Sequence, residues 1–239
     1  MVLSGDHINK MDYGPQFAQH AEKQADMTIS CLEVPLKSAT EFGVIGVDTE
    51  NRVVSFEEKP AEPRPIPGSD HTALASMGNY VFNTEFLYEQ LKRDAANPRS
   101  SHDFSKDIIP AIIDNAGVYA CRFRDVEANE QPYWQDVGTL DAFWEANIDL
   151  ADVTPKLNLY DEQWPILTFQ RQLPSAKFLF RDKDRRGQAL DSVVSGGCIV
   201  SGALIEHSVI FSSVTVHSFS KVSESVVMPE VDIGNNCRI

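Results

Sequence analysis

The first 151 residues alternate between apolar patterns of two periods, one typical of strands and one typical of helices. Runs rich in apolar and β-branched residues predict strands at 27–34, 42–47, 52–56, 74–82 and 118–123. Apolar residues at helical spacing predict helices that begin after Asp12, near Thr84, after Asp103 and after Thr139. Such alternation predicts a three-layer α/β sandwich.

The first and last of these helices each carry an apolar stripe that should face the core. The stripes consist of Tyr13, Phe17 and Ala21 in the first helix, which Asp12 can cap, and of Leu140, Phe143, Trp144 and Ile148 in the last. The helix that follows the cap Asp103 contains Pro110. A proline inside a helix removes a backbone donor, so this helix should be kinked or split.

The strands at 42–47 and 52–56 flank a polar turn and therefore predict a hairpin, which ends at Glu58 and Lys59. The segment 60–71 holds four prolines and a glycine, a composition typical of an exposed loop. The segment 152–186 contains further prolines and a charged run, and it predicts a connector.

From Ser192 onward the pattern changes to short apolar runs without helical periodicity. Counting in sixes from Cys198 reaches only apolar residues, namely Leu204, Ile210, Val216, Val222 and Met228. This spacing predicts a left-handed parallel β-helix, in which each hexapeptide forms one side of a triangular coil, and ordinary antiparallel strands are the alternative. The predicted domains are the α/β domain at 1–151, the connector at 152–191 and the β-helix at 192–239.

Composition and charge narrow the class of protein. The 239 residues are 42% apolar and 23% charged, which is typical of a folded globular protein, and no run approaches the roughly 18 apolar residues of a membrane helix. A formal net charge of -14 disfavours nucleic acid as a partner. Four scattered cysteines fit reduced thiols in the cytoplasm better than a disulfide framework or a zinc site.

Seven short blocks of residues are distributed over nearly the whole chain. They are Ser-Gly-Asp-His-Ile at 4–8, Glu-Phe-Gly-Val at 41–44, Phe-Glu-Glu-Lys-Pro at 56–60, Ala-Ser-Met-Gly-Asn-Tyr-Val-Phe at 75–82, His-Asp-Phe at 102–104, Tyr-Trp-Gln-Asp-Val-Gly-Thr at 133–139 and Ser-Gly-Gly-Cys at 195–198. In this joint order the chain resembles bacterial glucose-1-phosphate adenylyltransferases (ADP-glucose pyrophosphorylases). The resemblance implies part of a GT-A or Rossmann-like nucleotidyltransferase domain, followed by part of a left-handed β-helix.

The resemblance also implies a reaction and its residues. Members of this family transfer the adenylyl group of ATP to α-D-glucose 1-phosphate, the activation step of bacterial glycogen synthesis, and they form homotetramers that respond to metabolites. Residues at the positions of Asp6 and Asp136 share Mg²⁺ there, so both are expected to be catalytic metal ligands. The matching sugar-phosphate ligands are Gly43, Glu58, Lys59 and Ser76.

The residue types suit these roles, although each has an ordinary structural explanation as well. Lys59 supplies a point charge for a phosphate, Glu58 can accept hydrogen bonds from sugar hydroxyls, and Gly43 allows a ligand to approach the backbone closely. Asp6 could instead begin a turn and Asp136 could begin a helix. The surrounding blocks favour the functional interpretation.

Three rival functions remain open at this point. The first is a transferase of the same fold that uses another sugar 1-phosphate or another nucleotide. The second is a hexapeptide-repeat acyltransferase that relies on a histidine such as His207 or His217. The third is a non-catalytic regulatory homologue, which the joint presence of Asp6, Asp136 and Lys59 disfavours.

The family resemblance also raises an expectation about the ends of the chain. Family members begin with a strand and a glycine-rich, arginine-containing loop that cradles the nucleotide, and no Gly-x-Gly cluster precedes Asp6. The repeat pattern also continues up to Ile239 without a capping segment. We therefore expect a chain truncated at both ends that is inactive by itself.

Overall fold

A computed structural model describes residues 1–123 and 133–239. Contacts divide the chain into two compact units, Met1–Trp134 and Gln135–Ile239. No helix among the described residues is long and apolar enough to cross a membrane. The predicted boundary at 151 rests on the pattern of strands and helices, which is a different kind of division, and it stays a prediction.

The first unit combines a sheet with four short or medium helices. Its strands are β1 (His7–Asn9), β2 (Met27–Pro35), β3 (Gly43–Val47), β4 (Val53–Glu58), β5 (Thr72–Phe82) and β6 (Val118–Arg122). Its helices are α1 (Gly14–Glu22), α2 (Leu36–Ala39), α3 (Thr84–Ala95) and α4 (Ile109–Ile112), with a π-helical turn at Phe104–Ile108 directly before α4. A further strand, β7 (Trp134–Asp136), spans the boundary between the two units.

Five strands form one mixed sheet in the order β4-β3-β5-β2-β6, in which only β2 and β6 are parallel. Met27 and Ile29 on one face of β2 belong to a core that also includes residues of α3, the π-helical turn and α4. The opposite face of β2 carries Thr28, which contacts α1, and Leu32, which belongs to a second core. The predicted three-layer sandwich is therefore confirmed.

Several local predictions for this unit are confirmed. Gly43 pairs with Glu58 across the β3–β4 hairpin, and the Asp48 carboxylate accepts hydrogen bonds from the backbone of Glu50 and Arg52 in its turn. No strand or helix occurs between β4 and β5, where the sequence predicted a loop. The helix after Asp103 is divided between a π-helical turn and α4, with Pro110 in the first turn of α4.

The predicted apolar stripe of α1 is wrong. Phe17 is 47% exposed, whereas Gln16 is fully buried and its side-chain amide donates to the backbone carbonyl of Thr28. The helix begins one residue later than predicted, with Tyr13 as its cap, although the Asp12 carboxylate accepts a hydrogen bond from Gly14. Helix α1 lies against Thr28 of β2, and Gln16 and His20 bond its backbone carbonyl and its hydroxyl, which an apolar stripe could not do.

The second unit begins with helix α5 (Leu140–Asp149), which Thr139 caps. Twelve short strands follow, of which β9 (Arg181–Asp182) and β10 (Arg185–Arg186) form an antiparallel hairpin. The others are β8 (Lys177–Leu179), β11 (Gln188–Leu190), β12 (Val193–Val194), β13 (Ile199–Ser201), β14 (Leu204–Glu206), β15 (Val209–Ile210), β16 (Thr215–Val216), β17 (Lys221–Ser223), β18 (Val226–Val227) and β19 (Asp232–Ile233).

These strands build three parallel sheets, in the orders β11-β14-β17, β12-β15-β18 and β19-β16-β13-β8. Successive strands along the chain belong to different sheets, so each coil contributes one strand to each side. Inward side chains such as Ile205, Ile210 and Val216 stack into one core. A parallel β-helix is therefore confirmed.

The strict count in sixes is wrong at two positions. Met228 is 52% exposed and Leu204 is only half-buried, whereas the neighbouring Val227 and Ile205 lie in the core. In register, Gln188 pairs with Leu204 and Leu204 with Lys221, so a coil takes 16 or 17 residues. Three ideal hexapeptides would take about 18. The count therefore slips by one residue at some corners.

Strand pairing in the second unit begins within the C-terminal part of the proposed connector. Lys177 already pairs with Ile199, and Gln188 with Leu204, so the β-helix begins before Ser192. The β9–β10 hairpin is inserted into the first coil, which hides the repeat in the sequence. In α5 the predicted apolar stripe is confirmed only at Ile148, which is buried, because the side chains of Leu140, Phe143 and Trp144 are exposed.

Candidate functional site

Three of the predicted sugar-phosphate residues lie side by side on adjacent strands of the first unit. Gly43 on β3 pairs with Glu58 on β4. Val44 pairs with Ala75 on β5, which places Gly43 and Ser76 one residue beyond that pair on neighbouring strands. Residues far apart in the sequence are therefore brought to one end of three strands.

The space above Gly43 is occupied by neighbouring side chains. A methyl group built on Gly43 would lie 2.7 Å from Cζ of Phe56 and 3.0 Å from Oε2 of Glu58. Any side chain larger than hydrogen would thus push against a buried ring and the carboxylate. The glycine keeps the Glu58 carboxylate close to the backbone of β3.

Lys59 follows Glu58 at the end of β4, and its side chain is exposed. Its backbone is left-handed, with φ of 49°, and its N–H donates to the carbonyl of Phe42 at 3.0 Å. This conformation is unfavourable for a residue with a side chain and persists where neighbouring contacts fix it. This hydrogen bond holds the backbone of Lys59 beside Phe42, the residue that precedes Gly43.

Ser76 is nearly buried, and its hydroxyl accepts a hydrogen bond from the backbone of Gly78 at 3.3 Å. The Tyr80 hydroxyl is buried near the side chains of Ser105 and Ser76. Burial is the largest cause that raises the pKa of Tyr80, and the negative charges of Asp103 and Glu58 act in the same direction. A chain of neutral hydroxyl groups thus lies within electrostatic reach of Glu58.

Sequence reasoning missed Tyr80, because it was interpreted only as part of an apolar strand. Its ring packs against Phe82 and Phe104, and its hydroxyl lies near the side chains of Ser105 and Ser76. The only signal in the sequence was a hydroxyl-bearing side chain four residues after Ser76 within the matching block.

The loop that carries Asp6 packs against the same end of β5. Nδ1 of His7 lies 2.7 Å from the carbonyl oxygen of Met77. Gly78 has a φ of 65°, and a methyl group there would lie 3.1 Å from Cβ of Ser4 and 3.0 Å from Cε1 of His7. The Asp6 loop is therefore adjacent to the segment that carries Ser76.

The Asp6 carboxylate is exposed, and its Oδ1 accepts a hydrogen bond from the Ser4 hydroxyl at 2.6 Å. That bond is the largest cause that lowers the pKa of Asp6, and the charge of nearby His7 also lowers it. The carboxylate is thus ionised at neutral pH and can accept further partners.

Trp134 contacts both the Asp6 loop and Phe42, which lies next to one of the sugar-phosphate residues. Its ring meets His7 edge-on at 5.2 Å and Phe42 at 5.1 Å between ring centres. His7 directly follows the candidate ligand Asp6, and Phe42 directly precedes the candidate ligand Gly43. Trp134 was part of a matching block but received no role from the sequence, so its position is a second finding that the sequence missed.

Asp136 lies at the end of β7, in the second unit, while the five other candidate residues lie in the first. Its side chain is exposed, and its Oδ1 accepts a hydrogen bond from the backbone of Gly138 at 2.8 Å. Thr139 then caps α5 by accepting from Ala142. The carboxylate therefore has a locally fixed orientation.

Each of the two candidate aspartates has donor chemistry that suits a magnesium ion. Mg²⁺ prefers oxygen ligands and is commonly held by one or two carboxylates together with substrate phosphates and water. The two exposed aspartates offer such oxygens, and in residues 1–123 and 133–239 no group of three histidine, cysteine or acidic side chains forms a closed metal cage. The four cysteines are free thiols.

The two histidines of the β-helix that suggested acyl transfer are both paired with carboxylates. Nε2 of His207 lies 3.1 Å from Oδ1 of Asp152, and Nε2 of His217 lies 3.1 Å from Oδ1 of Asp232.

Asp103 acts as the predicted helix cap, since its Oδ1 accepts hydrogen bonds from the backbone N–H groups of Ser105 and Lys106.

Comparison with protein families gives two matches that divide the chain. Residues 1–153 match the nucleotidyl transferase family, and residues 174–239 match the GlmU-like C-terminal hexapeptide family. The first match covers more than half of the chain.

Curated relatives match over the full chain. Proteins named glucose-1-phosphate adenylyltransferase are 60% identical in Shewanella baltica (strain OS185) and 56% identical in Methylococcus capsulatus and in Dechloromonas aromatica. These alignments cover 99–100% of this chain but only 54–57% of the relatives. The chain thus spans little more than half the length of the curated relatives that it matches.

Proposed function

This chain belongs to the nucleotidyl transferase family, and on that basis we propose that the full-length protein transfers the adenylyl group of ATP to α-D-glucose 1-phosphate. The products are ADP-glucose and pyrophosphate. Relatives that carry this activity in their names support the proposal. The structural observation that carries it is the register that aligns Gly43, Glu58 and Ser76 beside Lys59.

The sugar-phosphate residues have complementary tasks. Lys59 neutralises the phosphate of glucose 1-phosphate, and the Glu58 carboxylate accepts hydrogen bonds from sugar hydroxyls. Ser76 supplies a hydroxyl close to Tyr80, and Gly43 leaves room for the Glu58 carboxylate beside the backbone of β3. The arrangement fixes the position of the attacking phosphate oxygen without a covalent step.

The chemistry is a displacement at the α-phosphorus of ATP. A phosphate oxygen of glucose 1-phosphate forms the new P–O bond, and the bond from the α-phosphorus to the bridging oxygen of pyrophosphate breaks. Alignment of two anions and neutralisation of their charge account for catalysis of such reactions. Bound Mg²⁺ would screen the phosphates, and Asp6 and Asp136 would hold it, as the family motifs suggest.

The resemblance supports three further parts of the proposal, namely Mg²⁺ as the metal, a homotetramer as the assembly and the cytoplasm as the location. A net charge of -14 also makes nucleic acid a poor partner.

The reaction can be tested directly with the full-length protein. We expect pyrophosphate release that requires ATP, glucose 1-phosphate and Mg²⁺ together. UTP, dTTP and GTP serve as matched controls, and faster turnover with one of them would favour a transferase of different base specificity. No release with any nucleotide, in a protein that is folded, would favour the regulatory homologue.

The Asp6→Asn variant tests the metal assignment. It keeps the shape of the side chain but removes its charge, so turnover should fall by at least about 100-fold. Asp12→Asn, which changes an exposed carboxylate at the start of α1, is the control and should retain activity. An Asp6→Asn protein with unchanged turnover would contradict the role of Asp6.

A further inference from the structure

Helix α5 begins four residues after Asp136, in the same compact unit as the β-helix. Its contacts lie against strand β18 of the β-helix. The helix therefore connects the proposed metal ligand to a rigid stack of coils. What fixes α5 on that stack also limits how far Asp136 can move.

The first contact that fixes α5 on the β-helix is a hydrogen bond from Trp144. Its indole Nε1 donates to the backbone carbonyl of Glu224 at 2.8 Å. Glu224 is a corner residue of the β-helix, with a φ of 48°, and its own N–H donates to the carbonyl of Glu206 in the preceding coil. The acceptor is thus part of the fixed backbone of the stack.

A second contact with the β-helix lies just after the C-terminal end of α5. Oδ1 of Asp152 lies 3.1 Å from Nε2 of His207. His207 is also a left-handed corner residue, with a φ of 43°, and its N–H donates to the carbonyl of Leu190 in the coil before it. Helix α5 and the residues after it are therefore held at corners of two successive coils.

The path from Trp144 back to Asp136 is short and locally fixed. Thr139 caps the helix through a hydrogen bond with Ala142, and Gly138 donates to the Asp136 carboxylate at 2.8 Å. Each of these bonds restrains a turn that could otherwise pivot. A shift of the helix on the β-helix would be passed on to the carboxylate.

From these contacts we propose that Trp144 is a positioning residue for Asp136, and that the β-helix thereby fixes the place of this metal ligand. The inference rests on the proposed function, because it takes Asp136 as a ligand of Mg²⁺. Catalysis by alignment is sensitive to such placement, since a displacement of about 1 Å can cost about 100-fold in rate. Trp144 itself touches neither substrate nor metal.

The test compares Trp144→Phe with the parent in the full-length protein. Phenylalanine keeps an aromatic ring but has no N–H donor, so the bond to Glu224 is lost together with part of the contact area of the indole. Hydrogen–deuterium exchange of the backbone amides at 137–144 should become about fivefold faster, as expected for the loss of one hydrogen bond. The Mg²⁺ concentration at half-maximal rate should rise by about the same factor, while the KM for glucose 1-phosphate stays within about twofold.

Ser220→Ala is the matched control. The Ser220 hydroxyl bonds the backbone of Gly234 and Cys237 inside the β-helix, so its loss loosens the stack without removing the Trp144 bond. This variant should melt at a lower temperature, yet leave exchange at 137–144 and the Mg²⁺ dependence unchanged.

The outcomes distinguish failure of the positioning role of Trp144 from failure of the proposed function. Faster exchange at 137–144 in Trp144→Phe alone supports the positioning role, whereas unchanged exchange or an unchanged Mg²⁺ dependence overturns it. An equal effect of Ser220→Ala would also overturn it, because general loosening would then be sufficient. If the parent protein releases no pyrophosphate, the proposed function fails, and the exchange comparison still tests whether Trp144 restrains the Asp136 segment.

Discussion

At Gly43, the hydrogen in place of a side chain leaves room for the Phe56 ring and the Glu58 carboxylate. Gly43→Ala would place a methyl group 2.7 Å from Cζ of Phe56, so one of the two must move. We predict a free energy of unfolding that is lower by about 1–3 kcal/mol, the usual cost of overpacking. Urea denaturation measures this difference.

Gly117→Ala provides the control for that substitution. A methyl group there would meet its nearest neighbours at 3.5 Å or more, which is ordinary contact. Its free energy of unfolding should stay within about 0.5 kcal/mol of the parent value. A Gly43→Ala protein as stable as this control would show that the space above Gly43 adapts easily.

His20 links stability to pH. Burial of its half-buried ring is the main cause that lowers its pKa below the ordinary 6.5, and it outweighs the opposing effects of Asn83 and Asp26. The unfolded chain then binds more protons than the folded one once the pH falls below about 6.5. We therefore predict that the free energy of unfolding decreases from pH 7 towards pH 5.

The contribution of His20 can be isolated by substitution. His20→Gln cannot take up the proton, so its stability should depend less steeply on pH over this range. His71→Gln changes an exposed histidine and should keep the slope of the parent. Equal slopes in the His20→Gln variant and the parent would refute the assignment.

At the scale of single residues, positions that depend on a local turn could be predicted better than contacts between distant segments. The sequence could place Glu58 and Lys59 at the end of a hairpin strand, because a local turn specifies that position. The contacts of Tyr80 and Trp134 could not be predicted, because they join segments that are distant in the chain. Nothing near either residue in the sequence encodes those partners.

At the scale of elements, a ladder of serines joins three coils of the β-helix. The backbone N–H of Ser208 donates to the Ser192 hydroxyl, and that of Ser225 donates to the Ser208 hydroxyl, both at 3.1 Å. The Ser208 hydroxyl also donates to the carbonyl of Glu206. Hydroxyl side chains thus satisfy buried backbone groups at a corner where strand pairing cannot.

Ser208→Ala should therefore destabilise the β-helix more than the small change in side-chain size would suggest. It removes two hydrogen bonds of a fully buried hydroxyl and leaves backbone groups without those partners. We predict a loss of about 1–3 kcal/mol in the free energy of unfolding of the β-helix, measured by denaturation. Ser212→Ala, at a half-buried position nearby, should lose less than about 0.5 kcal/mol, and equal losses would contradict the ladder.

The same corners explain why the sequence predicted the β-helix but not its register. Apolar residues recur at nearly regular intervals, which identifies the repeat, but coils of 16 and 17 residues shift the inward position by one. Left-handed residues such as His207, Glu224 and Glu230 lie at the corners between strands. Few of them are glycines, so no composition signal marks where the count changes.

At the scale of the whole molecule, the two compact units carry different parts of the proposed chemistry. The first holds the sugar-phosphate residues and Asp6, and the second holds Asp136 together with the β-helix. The alternation of strands and helices predicted the first unit, and the repeats predicted the second. That α5 contacts the β-helix depends on Trp144 and Asp152, whose partners lie far along the chain.

The overall charge makes a positive residue at the sugar-phosphate site significant. A chain with a net charge of -14 repels anions over most of its surface, so binding of a sugar phosphate depends on local cations. Lys59, whose backbone lies beside Glu58 and Phe42, is the cation that we propose for this role.

The KM for glucose 1-phosphate in Lys59→Gln tests this account most directly. In the full-length protein it should rise by about 10- to 100-fold, the usual cost of losing a hydrogen bond to a charged group, while the KM for ATP changes by less than about threefold. Lys37→Gln, at an exposed position in α2, should leave both values unchanged. A Lys59→Gln protein with the parent KM for glucose 1-phosphate would contradict the proposed sugar-phosphate site.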